Sequence, residues 1–200
     1  MSIPSYKISL NNNEHIYTVE LSDGKVIHPI SFSKLCNDYG LIPSYHGDSW
    51  FGQRGTAIHI GTVLIDKDDL DWDTVQDEIK PFLEAYMKFK YINAINREQN
   101  WQYIETSFYH PKWNFCTTID RALPVIDIKS GQGYPIQLAV HGEILRVNDI
   151  EPGPEAFMLT LKENGSYNLQ SYKYYKLKDE LEDFKSACRL NIRKEKLCKT

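Results

Sequence analysis

Apolar residues recur at three- and four-residue spacing through Phe82, Tyr86, Phe89 and Ile92, and from Trp101 onward at every second position. That switch constrains the fold most, because a period near 3.6 lines one face of a helix and a period of two lines one face of a strand. It predicts a helix from Pro81 to about Asn96, with proline accommodated at its start. Three consecutive strands follow: Trp101 to Tyr109, Trp113 to Ala122 and Val125 to Lys129, the last two joined by a very short turn at Leu123-Pro124.

The flanks supply further elements. Glu14 to Ile30 alternates around Asp23-Gly24, a dipeptide suited to the positive φ of a tight turn, and predicts two antiparallel strands. Ser31 caps a short helix from Phe32 to Tyr39 that Gly40 ends. After a loop containing Pro43 and Gly47, a helix is expected from about Phe51 to Ile65, then a solvated acidic connection from Asp66 to Asp73, with Asp73 capping the next helical region. Beyond the meander come a helix from Tyr134 to Arg146, a hairpin around Asn164-Gly165 with strands Ala156 to Leu161 and Ser166 to Tyr172, and a terminal helix from about Asp179 to Lys196. No repeat or linker separates these parts. The expectation is a single α/β (α+β) domain over residues 1–200, a central mixed sheet flanked by helices, with an N-terminal hairpin and helix (1–50), a core (51–146), and a C-terminal hairpin plus basic helix (147–200).

Composition sets the outer bounds. Two hundred residues with 13 Tyr, 8 Phe and 4 Trp argue against disorder, and a net charge of -4 excludes a histone-like polycation. It does not exclude an enzyme of nucleic acids, since only the surface meeting phosphate must be basic and a bound cation supplies charge at the chemistry. Cys36, Cys116, Cys188 and Cys198 show no CxxC pair, so no zinc knuckle or disulfide framework is indicated. With no apolar leader or membrane span either, the expectation is a cytoplasmic protein.

The chemistry concentrates in Val125 to Lys129. Alternation sends Val125, Asp127 and Lys129 to one face and Ile126 and Ile128 to the other. A carboxylate and an ammonium thus stand in an apolar strand, with Asp120 on its neighbour. Burying such charges unpaired costs several kcal/mol, so roughly that much must be compensated. A divalent cation between Asp120 and Asp127 would do so, leaving Lys129 to hold or deprotonate a water, a group suited to phosphodiester hydrolysis. Asp-x-Lys alone fits an ordinary solvated ion pair better, because such pairs are common at surfaces. The surrounding residues favour the former.

Asp120, then Asp127-Ile128-Lys129-Ser130-Gly131, then Gln137-Leu138-Ala139-Val140-His141, preceded by Arg54-Gly55-Thr56-Ala57-Ile58-His59 and by Glu105, resembles the signature of the PD-(D/E)XK nucleases. The RecB-like branch, with the CRISPR-associated RecB-like exonucleases and small phage-encoded nucleases, is the nearest in pattern: Gly-x-x-Asp-Arg, Asp-x-Lys-Thr-Gly, Gln-x-x-x-Tyr. The resemblance runs from about His15 to Ile192. Thr117 replaces the usual glycine, His141 stands where tyrosine is common, and the gap from Asp120 to Asp127 is short.

The resemblance implies a restriction-endonuclease-like fold and a metal-dependent deoxyribonuclease, acting as an exonuclease on single-stranded or duplex DNA ends in recombination, repair or phage DNA processing. A structure-specific endonuclease and a non-cutting partner subunit remain alternatives, and a recombination or replication protein is a conceivable partner. His59, Asp120 and Asp127, with the Ile128 carbonyl, would bind Mg2+ or Mn2+; Lys129 would orient or activate the attacking water; Gln137 would contact Lys129 or the backbone of the nucleic acid; Glu105 would hold a second metal or orient a water. The cysteine spacing does not match the iron–sulfur arrangement of some relatives, so no cluster is expected.

From Lys162 to the end, ten Lys or Arg face six Asp or Glu. Arg189, Arg193 and Lys194 are candidates for phosphate contact there, with Arg54 and Arg121 nearer the motif. Tyr172, Tyr174 and Tyr175 are candidates for stacking on unpaired bases.

Overall fold

The computed structural model describes residues 6–11, 14, 16–43, 49–92 and 101–198. Its centre is the strand Val125–Lys129, which we label β7, with the bounds its alternation predicts. Around it lie β4 (Ile30–Ser31), β5 (Tyr103–His110), β6 (Phe115–Ala122), β8 (Glu155–Leu161) and β9 (Tyr167–Lys173) in one mixed six-stranded sheet. β7 and β8 are parallel, connected through the helix α4 (Pro135–Val147), and β9 returns antiparallel to β8 through a turn where Gly165 takes φ +68°. Helix α1 (Phe32–Asp38) is capped as expected, Ser31 Oγ accepting the Lys34 N–H at 3.2 Å.

β7 is buried on both faces, which explains its two apolar sets. Val125 joins Phe32, Leu35, Ile119, Leu138 and Phe184 under α1, α4 and the terminal helix α5 (Lys178–Leu197). Ile126 and Ile128 pack instead with Ile58, Phe82, Tyr86 and Leu159, under α2 (Ser49–Asp66) and α3 (Lys80–Ile92). Each of these two isoleucines is nearly or wholly inaccessible and contributes about 2 kcal/mol of burial. Helices therefore cover both faces of the mixed sheet.

The N-terminal region differs from expectation. A strand β1 (Tyr6–Asn11) precedes β2 (Ile16–Leu21) and pairs with it over six residues, whereas the predicted hairpin around Gly24 pairs β2 with only a two-residue β3 (Val26–Ile27). This small sheet lies on β5 and β6 through Tyr17, Val19, Tyr109 and Cys116. Asp71, not Asp73, caps the turn at Trp72–Thr74, its carboxylate accepting the Asp73 N–H at 3.0 Å. The predicted end of the 81–96 helix, like Gly47, lies outside the described residues. Among the described residues, no helix is long and apolar enough to cross a membrane.

A fork in the sheet positions the site. β5 pairs with β6 along its whole length, so β4 and β7 must share the other edge of β6. β4 takes Phe115 and Cys116, and β7 pairs only at Arg121↔Ile126. Past that pair the strands part. Asp120 enters the gap, and its Oδ2 accepts the Ile128 N–H at 2.6 Å, satisfying a donor the ladder leaves unpaired.

Candidate metal centre

Three ligand-bearing side chains converge on the fork. Asp120 is buried, while His59 of α2 and Glu105 of β5 are half-buried. His59 Nδ1–H donates to Glu105 Oε1 at 3.1 Å and lies 3.7 Å from Asp120 Oδ1. One ligand atom from each of the three lies within 4.8 Å of the other two. Glu105 reaches this point through an unusual backbone: it sits at φ +43° between the paired residues Ile104↔Arg121 and Thr106↔Ile119. A left-handed residue inside a strand costs on the order of 1–2 kcal/mol and re-aims its side chain, which makes Glu105 a marked position.

The electrostatics fit. Burial disfavours the imidazolium of His59, but Asp120 and Glu105 outweigh it and hold its pKa above the ordinary histidine value. Asp127 is wholly buried; burial raises its carboxyl pKa, although Lys129 Nζ donates to Oδ1 at 2.8 Å. Its Oδ2 has no hydrogen-bond partner among the described residues. Burial opposes the ammonium of Lys129, yet Asp127 and Asp120 prevail and raise its pKa.

A divalent cation fits this donor set. An imidazole and two carboxylates within 4.8 Å of one another are a ligand combination suited to Mn2+ as well as Mg2+. The orphaned Asp127 Oδ2 is a buried acceptor of the kind a nearby cation or its water would satisfy.

The grouping differs from the expected ligand set in one respect. His59 and Asp120 are together, but Glu105 completes their cluster and Asp127 lies outside it, paired with Lys129. Val125 and Asp127 share a face of β7, and that face meets α4, where the buried His141 is close enough to affect Asp127. Ile128 contributes its N–H to holding Asp120. Gln137 is half-buried in the first turn of α4, and its side chain makes no hydrogen bond among the described residues.

Arg121 is a correction. Expected to meet nucleic acid, it is wholly buried and spends its guanidinium inside the protein. Nε donates to Asp66 Oδ2 at 2.6 Å, one terminal nitrogen to Thr62 Oγ1 at 3.0 Å and the other to Glu105 Oε1 at 3.3 Å. Asp66, expected in a solvated connection, is the last residue of α2, with its side chain 2% exposed, and its carboxylate also receives Tyr86 Oη and Lys90 Nζ, each at 2.7 Å. Sequence reasoning missed Asp66. The signal was its register, since His59, Thr62 and Asp66 share one face of α2 at three- and four-residue spacing.

Arg54 also turns inward: its guanidinium lies 5.0–5.2 Å from the ring centroids of Trp50, Phe51 and Phe82, and it pairs with Glu163 at 2.7 Å. Arg193 and Lys194 are exposed on α5, while the exposed Arg189 leans on Trp113 and approaches Glu182. Of the three tyrosines expected to stack on bases, Tyr174 has a buried hydroxyl and its ring lies against Gly142 and Arg146. Neither a protein-family model nor a curated protein matches this sequence. The geometry of the site carries the functional reading.

Proposed function

We propose that this chain is a divalent-metal-dependent DNA nuclease with a restriction-endonuclease-like fold, acting on DNA ends in recombination, repair or phage DNA processing. The observation that carries this reading is the convergence of His59 from α2, Glu105 from β5 and Asp120 from β6 at the sheet fork, with Asp120 on the strand next to the Asp127–Lys129 pair of β7. His59, Glu105 and Asp120 would hold Mg2+ or Mn2+, and the orphaned Asp127 Oδ2 offers a further acceptor. When bound, the cation would supply Lewis-acid polarisation of a phosphate oxygen and lower the pKa of an attacking water.

The protein's own groups define the remaining roles. Lys129 Nζ donates to Asp127 Oδ1 at 2.8 Å, and about a fifth of its side chain is exposed. From there it would orient the attacking water or donate to the phosphoryl oxygens. Asp127 fixes that ammonium in place. The exposed Arg193 and Lys194 offer phosphate contacts away from the reacting centre.

The test incubates purified protein with linear and circular DNA, each single- and double-stranded, in Mg2+, Mn2+ or chelator. Cleavage should require metal, favour linear substrate and fall by about 10²–10⁴ in Lys129→Ala. Failure to cleave any substrate, or equal rates in the variant, refutes the proposal.

A further inference from the structure

We infer that the centre takes one divalent cation, because the buried guanidinium of Arg121 already stands beside Glu105 as a fixed positive charge that opposes a second cation there. This inference deepens the nuclease reading and rests on its metal centre.

Glu105, Asp120 and Asp127 lie on three successive strands, Glu105 between the pairs Ile104↔Arg121 and Thr106↔Ile119 of β5 and β6, and Asp120 and Asp127 next to the single pair Arg121↔Ile126 of β6 and β7. Two-metal centres for phosphodiesters need cations about 3.5–4 Å apart, with carboxylates shared between them or holding the outer ion. In this protein both outer carboxylates already have an internal cation. Lys129 Nζ is 2.8 Å from Asp127 Oδ1, and an Arg121 terminal nitrogen is 3.3 Å from Glu105 Oε1. Only Asp120, between them, has no Lys or Arg ion pair among the described residues.

Of the two internal cations, Arg121 is the one that cannot yield. A guanidinium keeps its proton in proteins, so the charge cannot be relieved by deprotonation. Nor can the side chain swing aside. It is wholly buried, fixed by Asp66 at 2.6 Å and Thr62 at 3.0 Å, and packed against Tyr86 at 5.8 Å. Asp66 is itself anchored by Lys90 and Tyr86, so the charge is built into the contact of α2 with α3. Arg121 thus acts as a positioning residue: it orients Glu105 through Oε1 and supplies the positive charge that a second ion supplies elsewhere.

The test is a titration of Mn2+ into the metal-free full chain without DNA, with free Mn2+ followed by electron paramagnetic resonance and heat by calorimetry. One Mn2+ per chain is expected, and Glu105→Gln should weaken it by about tenfold or more while keeping one site. Two Mn2+ per wild-type chain would overturn the inference. Arg121→Met with Asp66→Asn, which removes the buried charge and its counter-charge together, should admit a second Mn2+. A folded double variant that still binds one would refute the role of Arg121. If circular dichroism shows that variant unfolded, the wild-type and Glu105→Gln titrations decide. One bound Mn2+ without cleavage would sink the nuclease reading and leave this inference standing; two bound Mn2+ in an active enzyme would do the reverse.

Discussion

Acidification from pH 7 to 4 should unfold this protein chiefly through two histidines outside the His59–Glu105–Asp120 cluster. His110 is 1% exposed, with Phe115 stacked on its ring at 5.2 Å, and its Nδ1 accepts the Trp113 N–H at 3.3 Å. His141 is wholly buried on α4, Nε2 3.4 Å from Thr117 Oγ1 and Nδ1 without a hydrogen-bond partner among the described residues. Burial lowers both pKa values from 6.5 to about 4, with Lys112 and Lys185 adding to the effect at His110, and with Asp127 opposing it and Lys129 aiding it at His141. The unfolded chain therefore binds more protons than the folded one between these limits, and each histidine's contribution, complete above 6.5, is lost as pH falls toward 4. A fall from 6.5 to about 4 is worth roughly 3 kcal/mol per histidine, so the pair removes about 6–7 kcal/mol from a fold whose total is expected near 5–15. Two groups run the other way. The raised carboxyl of Asp127 takes a proton sooner in the folded state and offsets part of the loss at the acid end, while the raised pKa of His59 stabilises below 6.5 and ceases to do so as pH rises above its folded value. Urea unfolding followed by tryptophan fluorescence at half-unit steps should show ΔG falling by up to about 2.7 kcal/mol per pH unit midway, with a constant m-value. His141→Leu should halve the slope. A flat profile between pH 6.5 and 4.5, or an unchanged slope in that variant, would refute the reasoning.

Gly142→Ala places a Cβ 2.3–2.9 Å from three atoms of the Tyr174 ring, which is also held 4.8 Å from the Arg146 guanidinium. The overpacking should cost roughly 1–3 kcal/mol and lower Tm by several degrees in a thermal melt; an unchanged Tm would mean that the ring moves freely. Replacing the exposed Arg193 and Lys194 by Glu should weaken DNA binding and reduce the slope of log K against log salt by about 2, with Mn2+ affinity unaltered. An unchanged salt slope would remove α5 from the DNA interface.

The scaffold was legible where burial and period agree. Val125–Lys129 appears with its predicted bounds because both faces are packed and the pattern has no competitor. The first strand escaped although Tyr6, Ile8 and Leu10 alternate with polar residues, since each is only partly buried and the turn that would have announced its pairing lacks a clear glycine signal. The fork was beyond reach. Alternation says which face a side chain takes, but not that β6 and β7 pair at a single position and then part around Asp120.

Charged residues were hardest to place, because their burial is decided by partners far along the chain. Asp66 reads as the start of an acidic run until Arg121 is known to lie 2.6 Å away, and Arg121 reads as a surface cation for the same reason reversed. Glu105 shows how far this extends. Glutamate has no intrinsic preference for φ +43°, and nothing local requires it there. What pays for the strain is the simultaneous grip of His59 and Arg121 on one carboxylate oxygen, contacts 46 and 16 residues distant in sequence. The motif residues drew attention to the right strands, but the third member of the cluster follows from this strained backbone. Glu105, and not Asp127, faces His59 and Asp120 because the chain bends out of its ladder at that point.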